Sequence, residues 1–338
     1  MRWPAAIPRE GTVMYETDME TGTTIAGHRA DAHVPRTLVH KAADSEVLLS
    51  SVRPLADDRY AVWVRWPHDH LLYRRGTDGT RDSLVVVETL RQAGIYLSHR
   101  FHDVPMDHAF VLHGFSFQLD TPIRDTGDGS DVVFEITVCR EAGNPRRFRM
   151  SCEARIRVGG RPAGRATMRW DAVAPRQYQT LRSRGIPVPR AAASAVHPPR
   201  PLTPQAVGRD REDAVVLADS PETDGGWQLV MDNRHPALFD HASDHVAGMV
   251  IVEAFRQAAL VRTGHATPGS WAVTGIQMGF ESFGELDARA VITAEPEGPD
   301  TFRLTARQGP RTLPTARVTG SSTSPLGKLI AQAGVATC

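Results

Sequence analysis

Between residues 60 and 66 the chain alternates: Tyr60, Val62, Val64 and Trp66 interleave with Ala61, Trp63 and Arg65. That is the two-residue period of a strand with one face turned inward. From Leu84 to about Leu97 the period is lost and the sequence becomes almost wholly apolar, free of proline and preceded by Asp82 and Ser83, which suit a helix start. This stretch predicts a buried helix. Alternation returns at 148–158, where Phe148, Met150, Cys152, Ala154, Ile156 and Val158 are set against Arg149, Ser151, Glu153, Arg155 and Arg157. Gly159-Gly160 supplies a turn, and Ala166, Met168 and Trp170 against Arg165, Thr167 and Arg169 predict the returning strand of an antiparallel hairpin.

The order of elements recurs. Shifted by 165 positions, His70, Val85, Val87, Glu88, Arg91, Gln92 and Ala93 fall without a gap on His235, Val250, Val252, Glu253, Arg256, Gln257 and Ala258. Phe302, Leu304 and Ala306 against Arg303, Thr305 and Arg307 repeat the half-buried strand. Such self-similarity marks a duplication, and each copy reads as a long helix laid on an antiparallel sheet, an α+β arrangement. Between the copies seven prolines (175, 187, 189, 198, 199, 201, 204) deny residues 175–204 continuous helix or ladder pairing. The expected organisation is a leader at 1–30, a first domain at 31–174, a linker at 175–204, a second domain at 205–325 and a tail at 326–338.

Glu88, Arg91 and Gln92 lie on one helical stripe, as do Glu253, Arg256 and Gln257. On an exposed helix such a pair contributes only about 0.2–0.5 kcal/mol. Here Leu84, Val85, Val86, Val87, Leu90, Ile95 and Leu97 surround the first set, and Met249, Val250, Ile251, Val252, Phe255 and Leu260 the second. A helix apolar all round is buried. Ionised groups carried inside each cost several kcal/mol unless they pair or line a polar cleft. Finding the arrangement twice favours a functional site, with a purely structural buried pair as the plainer alternative.

Composition narrows the classes. At 338 residues, 41% apolar and 23% charged, the chain is long and apolar enough for a sizeable core. Its 39 basic and 39 acidic side chains cancel, so no global field draws it to nucleic acid or to an anionic membrane. Only Lys41 and Lys328 are lysine, an arginine excess better explained by a GC-rich genome than by anion binding. Cys139, Cys152 and Cys338 form no C-x-x-C spacing, which argues against a disulfide framework or zinc ribbon and fits a reducing cytoplasm. No secretory start and no stretch of the roughly 18 apolar residues needed for a membrane span are visible.

Serine-hydrolase G-x-S-x-G, P-loop and dinucleotide glycine motifs are absent, which leaves carboxylate, imidazole and guanidinium to do the chemistry and predicts no cofactor. Histidines gather before each helix: His68 and His70 with Asp69, then His235, His241 and His245 with Asp240 and Asp244. Without H-E-x-x-H or fixed helical spacing no metal is expected, and proton transfer or hydrogen bonding to a substrate suits these imidazoles better. Asp82-Ser83 and Gly248-Met249 place small residues at the helix starts, where free N–H groups suit a developing oxyanion; ordinary capping is the alternative.

Taken together, Leu38-Val39-His40-Lys41, Glu46-Val47-Leu48-Leu49, Trp66-Pro67 and Glu88-Thr89-Leu90-Arg91-Gln92-Ala93-Gly94 resemble the A-factor biosynthesis (AfsA-like) family. Arg234-His235-Pro236, Leu238-Phe239-Asp240-His241, Asp244-His245-Val246 and Gly248-Met249 through Glu253-Ala254 look like that family's second repeat, so the likeness spans most of 36–320. The resemblance implies a double hot-dog: two tandem hot-dog domains, each an antiparallel sheet wrapped around a long central helix, forming a pseudodimer within one chain that is a monomer or a homodimer. It implies an acyltransferase of γ-butyrolactone, butenolide or furan autoregulator biosynthesis. Such an enzyme moves a β-ketoacyl group from acyl carrier protein to the hydroxyl of dihydroxyacetone phosphate, and intramolecular aldol condensation follows.

The family's acidic and basic helix positions fall on Glu88 and Arg256, with Arg91 and Glu253 as repeat mates. Glu88 is expected to be the general base on the acceptor hydroxyl, and Arg256 or Arg91 to hold phosphate or the oxyanion. His70, Gln92, His235, His241, His245, Gly248, Met249 and Gln257 are the expected substrate contacts. Ser83 and Ala247 stand where relatives often carry proline at the helix start. A hot-dog dehydratase or thioesterase, using His241 or His70 against a carboxylate, is the first alternative, weakened by the missing H-F-P loop. A non-catalytic acyl-binding protein is the second. The unequal histidines of the copies predict one working cleft and one vestigial one.

Overall fold

A computed structural model describes residues 34–76, 79–125, 127–141, 144, 146–183, 199–219, 225–241, 243–264 and 271–322. The first half contributes β1 (Leu49–Ala56), β2 (Arg59–Val64), α1 (Leu84–Phe101), β3 (Ala109–Leu119), β4 (Val132–Arg140), β5 (Arg147–Val158) and β6 (Arg161–Val173). After α2 (Pro175–Ser183) come β7 (Arg200–Pro201), β8 (Leu217–Asp219), β9 (Trp227–Leu229), α3 (Gly248–Thr263), β10 (Trp271–Phe280), β11 (Val291–Gly298), β12 (Thr301–Gln308) and β13 (Arg311–Ser322).

All the strands join one 13-stranded sheet in the order β1-β2-β4-β5-β6-β3-β10-β13-β12-β11-β9-β8-β7. Outward from the antiparallel β3–β10 seam, β6 answers β13, β5 answers β12 and β4 answers β11, so the two copies are fused edge to edge. At the seam Gly114 lies opposite Gly279, and a Cβ on Gly114 would stand 2.6 Å from the Met278 carbonyl oxygen, so only glycine permits this approach. Pairing at the seam also covers the β3 and β10 edges, leaving β1 and β7 as the outer strands of the sheet.

The alternation in the strands decides where the helices go. Phe134 and Ile136 of β4, Met150, Cys152, Ala154 and Ile156 of β5, and Met168 and Trp170 of β6 are buried, and α1 packs on β3 and β6 of this half as α3 packs on β11, β12 and β13. Burying each such large side chain stabilises the fold by about 1.5–3 kcal/mol. The few polar groups that α1 carries inward are matched. Trp170 donates Nε1–H to Ser98 Oγ (3.1 Å), Ser98 donates to the Gly94 carbonyl (2.6 Å), and Trp66 donates Nε1–H to Thr89 Oγ1 (2.9 Å).

Three boundaries differ from the sequence reading. The first helix continues past Leu97 to Phe101, with His99 and Arg100 in a last turn whose dipole favours basic groups. The strand expected to reach Trp66 stops at Val64, because the Trp66 N–H turns to the Asp128 carbonyl and Pro67 has no N–H to donate. The proline-rich stretch opens with a nine-residue helix, α2, since Pro175 sits at its first position, where the missing N–H costs nothing. Tyr178 and Arg182 of α2 dock on Asp244, and Arg182 also pairs with Glu285 (2.9 Å), fastening this helix to the second half. The expected leader and tail, and residues 184–198 of the expected linker, lie outside the described residues. Among the described residues no helix is long and apolar enough to cross a membrane.

Candidate active site

Glu88 is 2% exposed, and its carboxylate is surrounded by donors. Arg91, one helical turn on, donates Nε–H to Oε2 and a terminal N–H to Oε1, both at 2.8 Å, and Gln92 donates Nε2–H to Oε1 at 2.9 Å. Lys41 Nζ, just beyond the 3-10 turn Arg36–Val39, stands 3.1 Å from Glu88 Oε1 and 3.6 Å from Asp240 Oδ2 of the other half. Burial alone would raise the Glu88 carboxyl; the Arg91 guanidinium, then Lys41, outweigh it and hold the group well below the usual carboxylate range. With both oxygens engaged by Arg91, Gln92 and Lys41, Glu88 anchors the cations around it.

The second half builds the same set. Arg256 donates to Glu253 at 3.0 and 2.9 Å, and Gln257 donates to Oε1 at 2.6 Å. In place of Lys41 stands Arg209, beyond the 3-10 turn Gln205–Val207, with Nε 2.8 Å from Glu253 Oε1 and a second N–H on Oε2. Its remaining nitrogen crosses to the first half, donating to Asp82 Oδ2 at 2.6 Å and to the Leu72 carbonyl at 2.9 Å. Each half thus holds two cations and two carboxylates: Lys41 and Arg91 with Glu88 and Asp240, then Arg209 and Arg256 with Glu253 and Asp82. Glu88 and Arg256, expected to work together, belong to separate sets, and no ion pair links them among the described residues. The Arg91 side chain is 24% exposed and, among the described residues, bonds only Glu88, whereas that of Arg256 is 11% exposed and also donates to the Val207 carbonyl (2.7 Å). The second set is the more enclosed, and the first is the more exposed at its arginine.

Several expected substrate contacts are occupied by the protein itself. Gln92 accepts from Leu48 N–H (2.8 Å) and donates to the Glu46 carbonyl (2.8 Å), and Gln257 does the same with Val216 (3.1 Å) and Ala214 (2.7 Å). Both amides are fully buried braces between a helix and the segment leading into β1 or β8, with their hydrogen-bonding groups taken by the protein itself rather than left for substrate. His70 and His235 each commit one ring nitrogen to the protein itself. His70 Nδ1 accepts from Leu72 and Tyr73 N–H (both 3.1 Å) and His235 Nδ1 from Ala237 (3.2 Å) and Leu238 (3.1 Å), so each ring holds a turn. His70 Nε2 lies 3.3 Å from Glu46 Oε2, near enough for attraction though outside hydrogen-bond geometry. Ala214 replaces that carboxylate in the second half, and burial pushes His235 down.

Of the remaining expected contacts, His241 is exposed with Nδ1 2.7 Å from Asp240 Oδ1, which places it beside the first set. His245 lies with Asp244 (2.7 Å) and Tyr178 (3.2 Å) in the α2 docking cluster instead. Gly248 and Met249 open α3, which has no side-chain cap. At the start of α1 the Leu84 N–H is taken by Asp82 Oδ1 (2.9 Å) and the next two by the Asp82 and Ser83 carbonyls, so capping replaces the oxyanion site expected there.

Sequence reasoning missed Lys41 and two histidines. His40 adopts the left-handed conformation (φ 54°), and its Nε2 lies 2.9 Å from His99 Nε2, while His99 Nδ1 lies 2.8 Å from the Val104 carbonyl. Phe110 packs edge-on against both rings. Burial pushes His40 down to about 4, and His99, Arg91 and His241 add to the shift. Two signals pointed here: Lys41 is one of only two lysines, and His99 lies on the Glu88 stripe three helical turns on. Arg209 gave none, because it follows Lys41 by 168 positions and so falls outside the 165-residue frame of the helices.

The family described as AfsA, A-factor biosynthesis hotdog domain, matches residues 24–174 and 191–324. A 2-oxo-3-(phosphooxy)propyl 3-oxoalkanoate synthase of Streptomyces virginiae is 33% identical, over 83% of this chain and 95% of its own. The synthase of the same name from Streptomyces coelicolor is 30% identical, over 85% of this chain and 87% of its own. Among solved structures, an acyl-ACP thioesterase from Bacteroides thetaiotaomicron is 11% identical with a TM-score of 0.47, over 78% of this chain and 98% of that one. With its double hot-dog sheet, its two helices bearing the same acidic and basic stripe, and relatives matched along nearly their whole length, the chain belongs to the AfsA family of A-factor biosynthesis hotdog proteins.

Proposed function

We propose that this protein is an acyltransferase that forms a 2-oxo-3-(phosphooxy)propyl 3-oxoalkanoate, with acyl carrier protein delivering the β-ketoacyl thioester and dihydroxyacetone phosphate accepting it. The hydroxyl oxygen of the acceptor attacks the thioester carbonyl carbon, the C–S bond breaks, and the carrier thiol leaves. The activated methylene of the new ester then adds to the acceptor's ketone, closing a butenolide phosphate with loss of water. One observation carries the reading: near-full-length similarity to synthases of that name in a chain that keeps both charge sets.

The first half is the working cleft. Arg91 is rigid because Glu88 grips it in a fork, and its exposed edge is left to meet the phosphate or the oxyanion. Lys41 ties this fork to Asp240, so the cleft exists only when both halves are docked. The second set, closed by Arg209, is the vestigial one. The reaction belongs in the cytoplasm, where the carrier protein and the sugar phosphate are found together. Incubating the purified protein with β-ketoacyl carrier protein and dihydroxyacetone phosphate should give the phosphorylated ester or butenolide by mass spectrometry. Thiol release without the acceptor would identify a thioesterase, and enoyl product from a 3-hydroxyacyl thioester a dehydratase.

A further inference from the structure

We infer that His40, positioned by His99, is the proton acceptor of the acyl transfer in the first cleft, an assignment that rests on the acyltransferase reading above. The hydrogen bonds fix the tautomers. The Val104 carbonyl can only accept, so His99 Nδ1 carries a proton; a neutral His99 then has a lone pair on Nε2. His40 Nε2 must donate into that lone pair, which leaves His40 Nδ1 as a free acceptor with no partner among the described residues. The ring is half-buried, next in sequence to Lys41 and within electrostatic reach of Arg91; on this assignment an acceptor bound by those cations brings its hydroxyl to it.

The pair is also specific to this half. His40 is one of three described non-glycine residues with positive φ, a conformation that disfavours a Cβ. At the same station after its own 3-10 turn the second half has Gly208 (φ 64°), the residue this backbone calls for. The station of His99 is Gly264 in the second copy. Both imidazoles are thus present where the charge set is open and absent where it is sealed, and one of them is kept against backbone preference.

The groups around His40 are the cations Arg91 and Lys41, the carboxylates Glu88 and Asp240, and the imidazoles of His99 and His241, with His108 beyond His99. His40 is neutral at pH 7, and its Nδ1 lone pair is unclaimed among the described residues. As the acceptor hydroxyl oxygen bonds to the carbonyl carbon, its proton moves to His40 Nδ1. When the tetrahedral intermediate collapses and the C–S bond breaks, that proton passes to the departing thiolate sulfur. His40 ends neutral and nothing is oxidised or reduced.

His40→Gly tests this with little risk to the fold, because glycine is the residue of the matching turn. Its ester-forming kcat should fall on the order of 10² to 10⁴-fold. The KM for dihydroxyacetone phosphate should stay within about threefold and the melting temperature should not drop. Added imidazole should restore turnover, and the restored rate should rise with pH through the free-imidazole range near about 6.5, where the wild type is flat. His99→Asn, whose amide oxygen can still accept from His40, should retain more kcat than His99→Leu at equal KM. A folded His40→Gly enzyme that keeps its rate within about threefold, or whose loss imidazole does not reverse, overturns the assignment and leaves the acyltransferase reading standing. A wild type that forms no ester overturns both.

Discussion

The two charge sets differ far less in their members than in their surroundings. Each pairs a helix glutamate with the arginine one turn on, braces it with the next glutamine, and adds a cation that crosses to a carboxylate of the other half. In the second set that cation is Arg209, whose nitrogens reach Glu253, Asp82 and a backbone carbonyl. In the first it is Lys41, a point charge without the fork. The same way of burying charge thus occurs twice: the set closed by Arg209 clasps the halves together, and the set with Lys41 is the one flanked by His40 and His99, the cleft proposed for the reaction.

The largest effect should come from Glu253→Ala, which removes the carboxylate shared by Arg209 and Arg256 and leaves Arg256 with no charged partner among the described residues. Removing one partner of a buried pair costs about 3–5 kcal/mol, so urea unfolding should show a loss of that size, and a loss below about 1 kcal/mol would break the assignment of the second set to structure. Glu88→Gln should lower ester formation by at least about 10²-fold, equivalent to about 2.7 kcal/mol, with a smaller loss of stability because Lys41 keeps Asp240. An unchanged rate would remove the first set from the chemistry. The matched pair Arg91→Lys and Arg256→Lys sharpens the contrast further: each loses the fork, so the first should slow turnover about tenfold and the second should lower stability by about 1–2 kcal/mol with the rate preserved.

The smallest effect is in the pH dependence of stability. Glu88 and Glu253 have folded pKa values below their ordinary ones, Glu253 at about 2, so their stabilisation is complete above about pH 4.5 and is lost as pH falls through the folded values. His40 is lowered as well, from 6.5 to about 4, and for a base the reference differs: below pH 6.5 the unfolded chain takes a proton that the folded one refuses. Stability should therefore start to decline below about pH 6.5, and His40→Gly should make that part of the curve shallower in chemical-denaturation measurements. His99, His102 and His235, lowered in the same direction, should keep the remainder, and the acid limb below about 4.5 should stay in place.

Much of the fold was legible because its signals are local. The alternation at 148–158 and the apolar run from Leu84 depend on neighbours a few residues away, and β5 and α1 appear where those periods stand. The stripe of Glu88, Arg91 and Gln92 was legible for the same reason. Roles were not. Gln92 looks like a substrate contact in sequence, but whether its amide faces a ligand or a backbone group depends on which distant segment lies beside it, here Glu46 and Leu48.

By itself the sequence determined that the chain is a duplicated helix-on-sheet protein with charge buried in each helix, since period, spacing and apolar flanks are properties of neighbouring residues. Only the tertiary structure decided which groups meet those charges. Lys41 reaches Asp240, Arg209 reaches Asp82 across 127 residues, and His40 reaches His99 across 59. The first two of these contacts need the two halves joined at one seam, the third needs the turn before β1 to fold back on the end of α1, and nothing in the local pattern states that one copy will enclose its arginine more than the other.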